Sequence, residues 1–217
     1  MNELPGLETV VEAARAGVGQ PAIDWPQSRW IAAFPQQRGL LNALPPQLSR
    51  DIVRNVCGSC SAGTQGAIDA FVVSMAWGYA DSGYGVWRTQ QVLSQGGANA
   101  GVALDQARRL VVEQGPLAGY EQLAGPGRLE GLGPAFGTKF LFFQNDDALI
   151  LDKLIADWFT VVDSSNLRPT TWSSKHYRHY LETMNGWAED AGLSVVRIEE
   201  AAFTEIGRAR GNQWAPE

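Results

Sequence analysis

The sequence predicts an all-α fold, and three observations carry that reading. From residue 47 onward, apolar residues recur at three- and four-residue intervals, the spacing of one helix face. Glycine- and proline-rich breaks punctuate these stretches where helices stop. No segment carries a strong strand signal of apolar–polar alternation. With 217 residues, 45% hydrophobic and 18% charged, the chain can build one substantial core or two small helical lobes sharing a cleft. It shows no internal repeat.

Residues 1–46 hold Pro5, Pro21, Pro26, Pro35, Pro45 and Pro46 together with Trp25, Trp30 and Phe34. Proline at this density forbids long helices, although 8–16 can form one. The aromatics imply an ordered wrap packed on the remaining body, 47–217, and such a wrap can also line a pocket. In 47–56, Leu48, Ile52, Val53 and Val56 share a face and leave Arg50 and Arg54 on another, which reads as solvated. A second helix, 64–77, buries Ile68, Phe71, Val72 and Met75, with Thr64 as its cap.

Residues 76–88 read as a loop dense in glycine and aromatics, running into a helix at 86–93. Trp77, Tyr84, Trp87 and Arg88 there suit close approach to nucleic acid, with stacking or wedging against a base; capping a core is the other reading. Helices follow at 101–113 and 117–123, the second leading into a hairpin at about 124–144. After 152 a helix runs to 162 and 163–166 breaks it. Residues 168–172, from Arg168 and Pro169 onward, form a loop. A long amphipathic helix after Ser174 carries Tyr177, Tyr180, Leu181, Met184 and Trp187, and the last helix, 195–206, carries Ile198 and Phe203. His176 and His179 read as surface or packing residues.

The stretch on which function turns is Leu129-Glu130-Gly131-Leu132-Gly133-Pro134, followed by an apolar run. Two glycines one residue apart can take positive φ, turn tightly and aim several N–H groups one way. Pro134 suits the first turn of a helix, so the cradle sits at a positive helix end fitted to phosphate. Gly131, Leu132 and Gly133 are its candidate contacts.

A Leu-x-Gly-hydrophobic-Gly element of this kind resembles the helix-hairpin-helix of the base-excision DNA glycosylases. In that superfamily an aspartate follows the second glycine at about the distance that separates Gly133 from Asp152 here. The chain is most similar to bacterial and archaeal proteins related to 8-oxoguanine DNA glycosylase. The resemblance implies a two-lobed helical fold, DNA with a modified base as partner, and Asp152 as the carboxylate that stabilises an oxocarbenium-like state at C1′. It also implies a monovalent cation, Na+ or K+, on the carbonyls of Gly127, Leu129 and Leu132, and no other cofactor. Read from the residues alone, Asp152 would equally suit a helix N-cap.

Glycosylases that also nick the strand use a lysine amine. In the resembled enzymes it lies two positions after the second hairpin glycine, and here that position is Ala135. Lys139 stands four residues further along the same helix face. Helical side chains lean toward the N-terminus and four residues rise only about 6 Å, so its amine can reach the space above Ala135. Phe136, Phe140 and Phe143 make the surroundings apolar, which favours a neutral, nucleophilic amine, with Asp152 beside it as electrostatic and proton-transfer partner. Phe140 is also a candidate base contact. The alternative is a lysine whose stem covers the helix while its charge reaches water or a phosphate.

The net charge of −6 argues against a tight, indiscriminate duplex binder. Three classes stay open: an excision enzyme acting on an oxidised purine such as 8-oxoguanine, with or without lyase activity; a binding module that has lost catalysis; and an N-glycosidase for another modified nucleoside, with a role in phage defence. The expected setting is a cytoplasmic monomer, with partner proteins from a repair or defence operon. No apolar run approaches a membrane span. Cys57 and Cys60 lack the second pair that a four-cysteine zinc site needs, so they read as small residues at a helix end.

Overall fold

The described residues of the computed structural model, 3–80, 82–167 and 170–212, form twelve α-helices, one 3-10 turn and a single strand pair. Arg168, Pro169 and Asp81 of the predicted loops lie outside them. No helix among them is long and apolar enough to cross a membrane.

Two groups of helices share one hydrophobic core. The first is built around α5 (Thr64–Tyr79), which is buried on nearly all sides and so shows no polar face. Against it pack α4 (Arg50–Ser59), α6 (Gly83–Gly96), α7 (Ala98–Gln114) and α9 (Pro134–Phe142), with α8 (Pro116–Ala124) lying on α7 and α9. The second group centres on α12 (Val195–Ala209), which packs on α1 (Leu7–Arg15), α10 (Lys153–Val162) and α11 (Ser174–Ala191). The N-terminal segment adds α2 (Gln27–Ala33), the turn Pro35–Gln37 and α3 (Arg38–Ala43). Its aromatics Trp25, Trp30 and Phe34 are buried.

The all-α expectation meets one exception. β1 (Ile23–Asp24) pairs antiparallel with β2 (Gln47–Leu48), so the helix expected at 47–56 begins only at Arg50, capped by Ser49. Gly63 and not Thr64 caps α5. The loop expected at 76–88 is mostly helix: α5 runs to Tyr79 and α6 starts at Gly83, because packing outweighs the low helix propensity of Gly78, Gly83 and Gly85. Trp77 is thereby buried, edge-on to Phe143.

The largest correction concerns Arg50. It lies at 6% exposure, ion-paired with the fully buried Glu199 of α12, its guanidinium stacked over Trp77 and Phe142. Nε donates to Gln20 Oε1 at 3.1 Å. Arg54 pairs with Asp146 and lies 4.4 Å from the Phe142 ring centroid. Burial pushes the Glu199 carboxyl above the usual carboxylate range despite Arg50 beside it. The pair joins the two helix groups through the core.

Removing one partner of a buried pair strands the other charge. Glu199→Ala or Arg50→Ala should cost about 3–5 kcal/mol of stability, measured by urea unfolding, while the apolar double replacement Arg50→Met/Glu199→Leu should recover much of it.

Candidate active site

The hairpin between α8 and α9 makes a groove of about 500 Å³ bordered by Arg88, Arg128, Gly131, Gly133 and Trp172. Gly131 has φ +81°, which an L side chain adopts with strain, whereas Gly133 is extended at φ −90° with open space around its Cβ position. Positive φ is therefore needed at one of the two glycines only. Gly133 caps α9 and Pro134 occupies its first turn. The early N–H groups of a helix lack intrahelical partners, so this end attracts anions. Arg88 lies over the turn: a Cβ at Gly131 would sit 3.3 Å from its Nη1.

Arg88 also stacks near Tyr84 and Trp87, at 5.5 and 5.8 Å from their ring centroids. Those two rings are half exposed, at 50% and 49%. Tyr79, stacked on Phe136 of α9 at 3.9 Å, connects this face to the helix that leaves the hairpin. Of the aromatics expected to contact a base, Tyr84 and Trp87 thus face solvent. Phe140 is fully buried, edge-on to Phe71, and belongs to the core; Trp77 is buried too, though it lines the cavity described next.

Six residues along α9 from Gly133, about 9 Å of axial rise, Lys139 points into a cavity of about 720 Å³. Its Nζ donates to Asp152 Oδ2 at 3.0 Å, with the lysine at 7% and the aspartate at 8% exposure. The carboxylate expected beside the amine is thus in direct contact with it. The Phe136 ring centroid lies 5.2 Å from the amine. Gly78 of α5 makes room for the stem, since a Cβ there would lie 3.0 Å from Lys139 Cδ. The chain holds only three lysines; Lys153 and Lys175 are exposed.

Asp152 is positioned from three sides. The extended segment before it is buried, and its backbone is satisfied by side chains: Tyr177 and Tyr180 hydroxyls donate to the Leu149 and Ile150 carbonyls at 2.9 and 3.0 Å. The Leu151 N–H donates to Thr138 Oγ1 at 3.0 Å, beside Lys139. Asp152 Oδ1 then caps α10, accepting from Leu154 and Ile155 N–H. Capping and pairing with lysine thus use different oxygens. Burial alone would raise this carboxyl, but the Lys139 charge, its hydrogen bond and the two capping N–H groups outweigh burial and hold it below the usual range.

Two of the carbonyls expected to hold a cation are engaged: Leu132 O accepts the Trp172 indole N–H at 3.2 Å and Leu129 O accepts Leu132 N–H at 3.1 Å. Among the described residues no cluster of His, Cys, Asp and Glu could hold a metal. Cys57 is buried, its thiol pushed up to about 12 by burial, and His179 pairs with Asp163 at 2.6 Å.

A family model described as "Putative 8-oxoguanine DNA glycosylase OGG-like protein" matches residues 16–203. No curated protein and no solved structure matches the chain.

Because Asp152 is held low, its contribution to stability is present above the usual carboxylate range and is lost as pH falls through its folded value. Carboxyl NMR titration should give a midpoint below that range in the wild type. In Lys139→Gln the midpoint should rise, and in Gly78→Val, which crowds the lysine stem, it should rise by less.

Proposed function

The chain belongs to the OGG-like family, and on that premise we propose that it is a DNA glycosylase that removes an oxidised purine such as 8-oxoguanine and can also open the strand. The observation that carries this reading is the buried Lys139–Asp152 pair, lining a cavity and joined by one helix to a groove with two arginines. A binding-only module needs no such pair. Burying two charges is costly unless they serve each other, and these two face a space open to a ligand.

In this reading the hairpin turn, the start of α9, Arg88 and Arg128 hold the phosphate backbone. Net charge of −6 does not forbid that, because helix-end amides and a local arginine pair suffice for a few contacts. About 9 Å of helix spans fewer than three base steps of one strand, which brings a nucleotide near the anchored phosphate to Lys139. Tyr84 and Trp87 stack against the strand from which the base is extruded.

The resting pair is ionic. A proton passes from Lys139 Nζ to Asp152 Oδ2 across their 3.0 Å hydrogen bond, leaving a neutral amine. The amine attacks C1′, the bond from C1′ to the base nitrogen breaks, and the base leaves with that electron pair and takes the proton held on Asp152, which restores the carboxylate. Positive charge that develops on the sugar is stabilised by the Asp152 carboxylate as its proton departs to the base. Ring opening at O4′ gives a Schiff base on Lys139. Loss of a C2′ proton to the Asp152 carboxylate then expels the 3′ phosphate by β-elimination.

Borohydride should trap a protein–DNA adduct with the wild type on 8-oxoguanine duplex and none with Lys139→Gln. Asp152→Asn keeps an N-capping side chain but loses the charge. It should slow base release by roughly 100- to 1000-fold while binding is retained. Base release at the wild-type rate in either variant would refute the assignment.

A further inference from the structure

One wall of the cavity, residues 20–24, takes no part in the lysine–aspartate chemistry. It is held rigidly. Gln20 N–H donates to Glu200 Oε1 at 3.1 Å, and Arg50 Nε donates to Gln20 Oε1. Ile23 and Asp24 pair with Leu48 and Gln47, and the Trp25 indole donates to Pro45 O at 2.9 Å. Asp24 is the one ionisable side chain of this wall. Gln47 Nε2 donates to its Oδ1 at 3.2 Å, and among the described residues it pairs with no cation.

A carboxylate repels the phosphates that the rest of this face attracts. It accepts hydrogen bonds and donates none, so it serves a ligand edge made of N–H donors. Two carboxylate oxygens fit two adjacent donors. Among Watson–Crick edges, guanine alone sets two donors side by side, N1–H and its 2-amino group. Adenine and cytosine set a donor beside a lone pair, and thymine sets one N–H between two carbonyls. Oxidation at C8 leaves the guanine edge unchanged.

We propose that Asp24, oriented by Gln47 across the strand pair, reads the N1–H and 2-amino edge of the extruded base and selects bases with the guanine skeleton. This rests on the glycosylase reading above. Asp24 chooses the parent base and not its oxidation state, which the remainder of the cavity must sense.

The test is single-turnover base release from duplexes carrying 8-oxoguanine or 8-oxohypoxanthine, the same base without its 2-amino group. Borohydride trapping on an abasic site, where there is no base to read, runs in parallel. The wild type should release 8-oxoguanine roughly 10- to 100-fold faster than the analogue, the discrimination of one bidentate contact. Asp24→Ala should lose that preference, its 8-oxoguanine release falling by the same factor relative to its abasic-site adduct. Asp24→Asn, which keeps the size but turns a donor toward the base, should fall likewise. A preference that survives in both variants, or a wild type that releases both bases equally, overturns the role of Asp24 alone. A wild type that releases neither base and traps no adduct overturns the glycosylase reading, and the inference with it.

Discussion

The contact between Lys139 and Asp152 is the constraint from which the arrangement around the cavity follows. An ammonium and a carboxylate at under 10% exposure are tolerable only if each satisfies the other and the remaining lone pairs find donors. That requirement accounts for the backbone before Asp152. The segment is extended and buried, so its carbonyls need donors, which Tyr177 and Tyr180 supply from α11. Thr138, one residue before the lysine, receives the Leu151 N–H and ties the aspartate's segment to the lysine's helix. Gly78 on α5 leaves the volume through which the lysine stem passes.

A second buried pair, Arg50–Glu199, lies close enough for Asp152 to push the Glu199 carboxyl further up. Together the four groups sum to no net charge, which limits the cost of placing ions between the two helix groups. Arg50 also reaches the cavity wall through Gln20, so the joint between the groups and the wall of the site share a residue. The electrostatic design is compact: one pair faces the cavity, and the other holds the scaffold behind it.

How much of this was legible in the sequence depended on how local the cause is. The helices, the cap at Asp152 and the start of α9 at Pro134 are set by periodicity and end residues a few positions apart. The meeting of Lys139 with Asp152 followed from helix geometry joined to a resemblance in spacing. Arg50 could not be read, because its partner lies 149 residues away and its own helix offers it a solvent face. Phe140 belongs to the core because α9, apolar on nearly every face, is buried on almost every side; the apolar run after Pro134 carried that signal, and Lys139 within it pointed the other way. The stretch around Tyr79 looked like a loop by composition, yet long-range packing kept its glycines helical. The strand pair that holds Asp24 is two residues long on each side, too short for any alternation to register.

The central claim is that one amine, Lys139, bonds to the sugar. With only three lysines in the chain, mapping the reduced protein–DNA adduct by digestion and mass spectrometry tests it directly. The account predicts the deoxyribose-derived mass on the peptide that contains Lys139, with Lys153 and Lys175 unmodified. The same mass on Lys153, on Lys175 or on the terminal amine would contradict it.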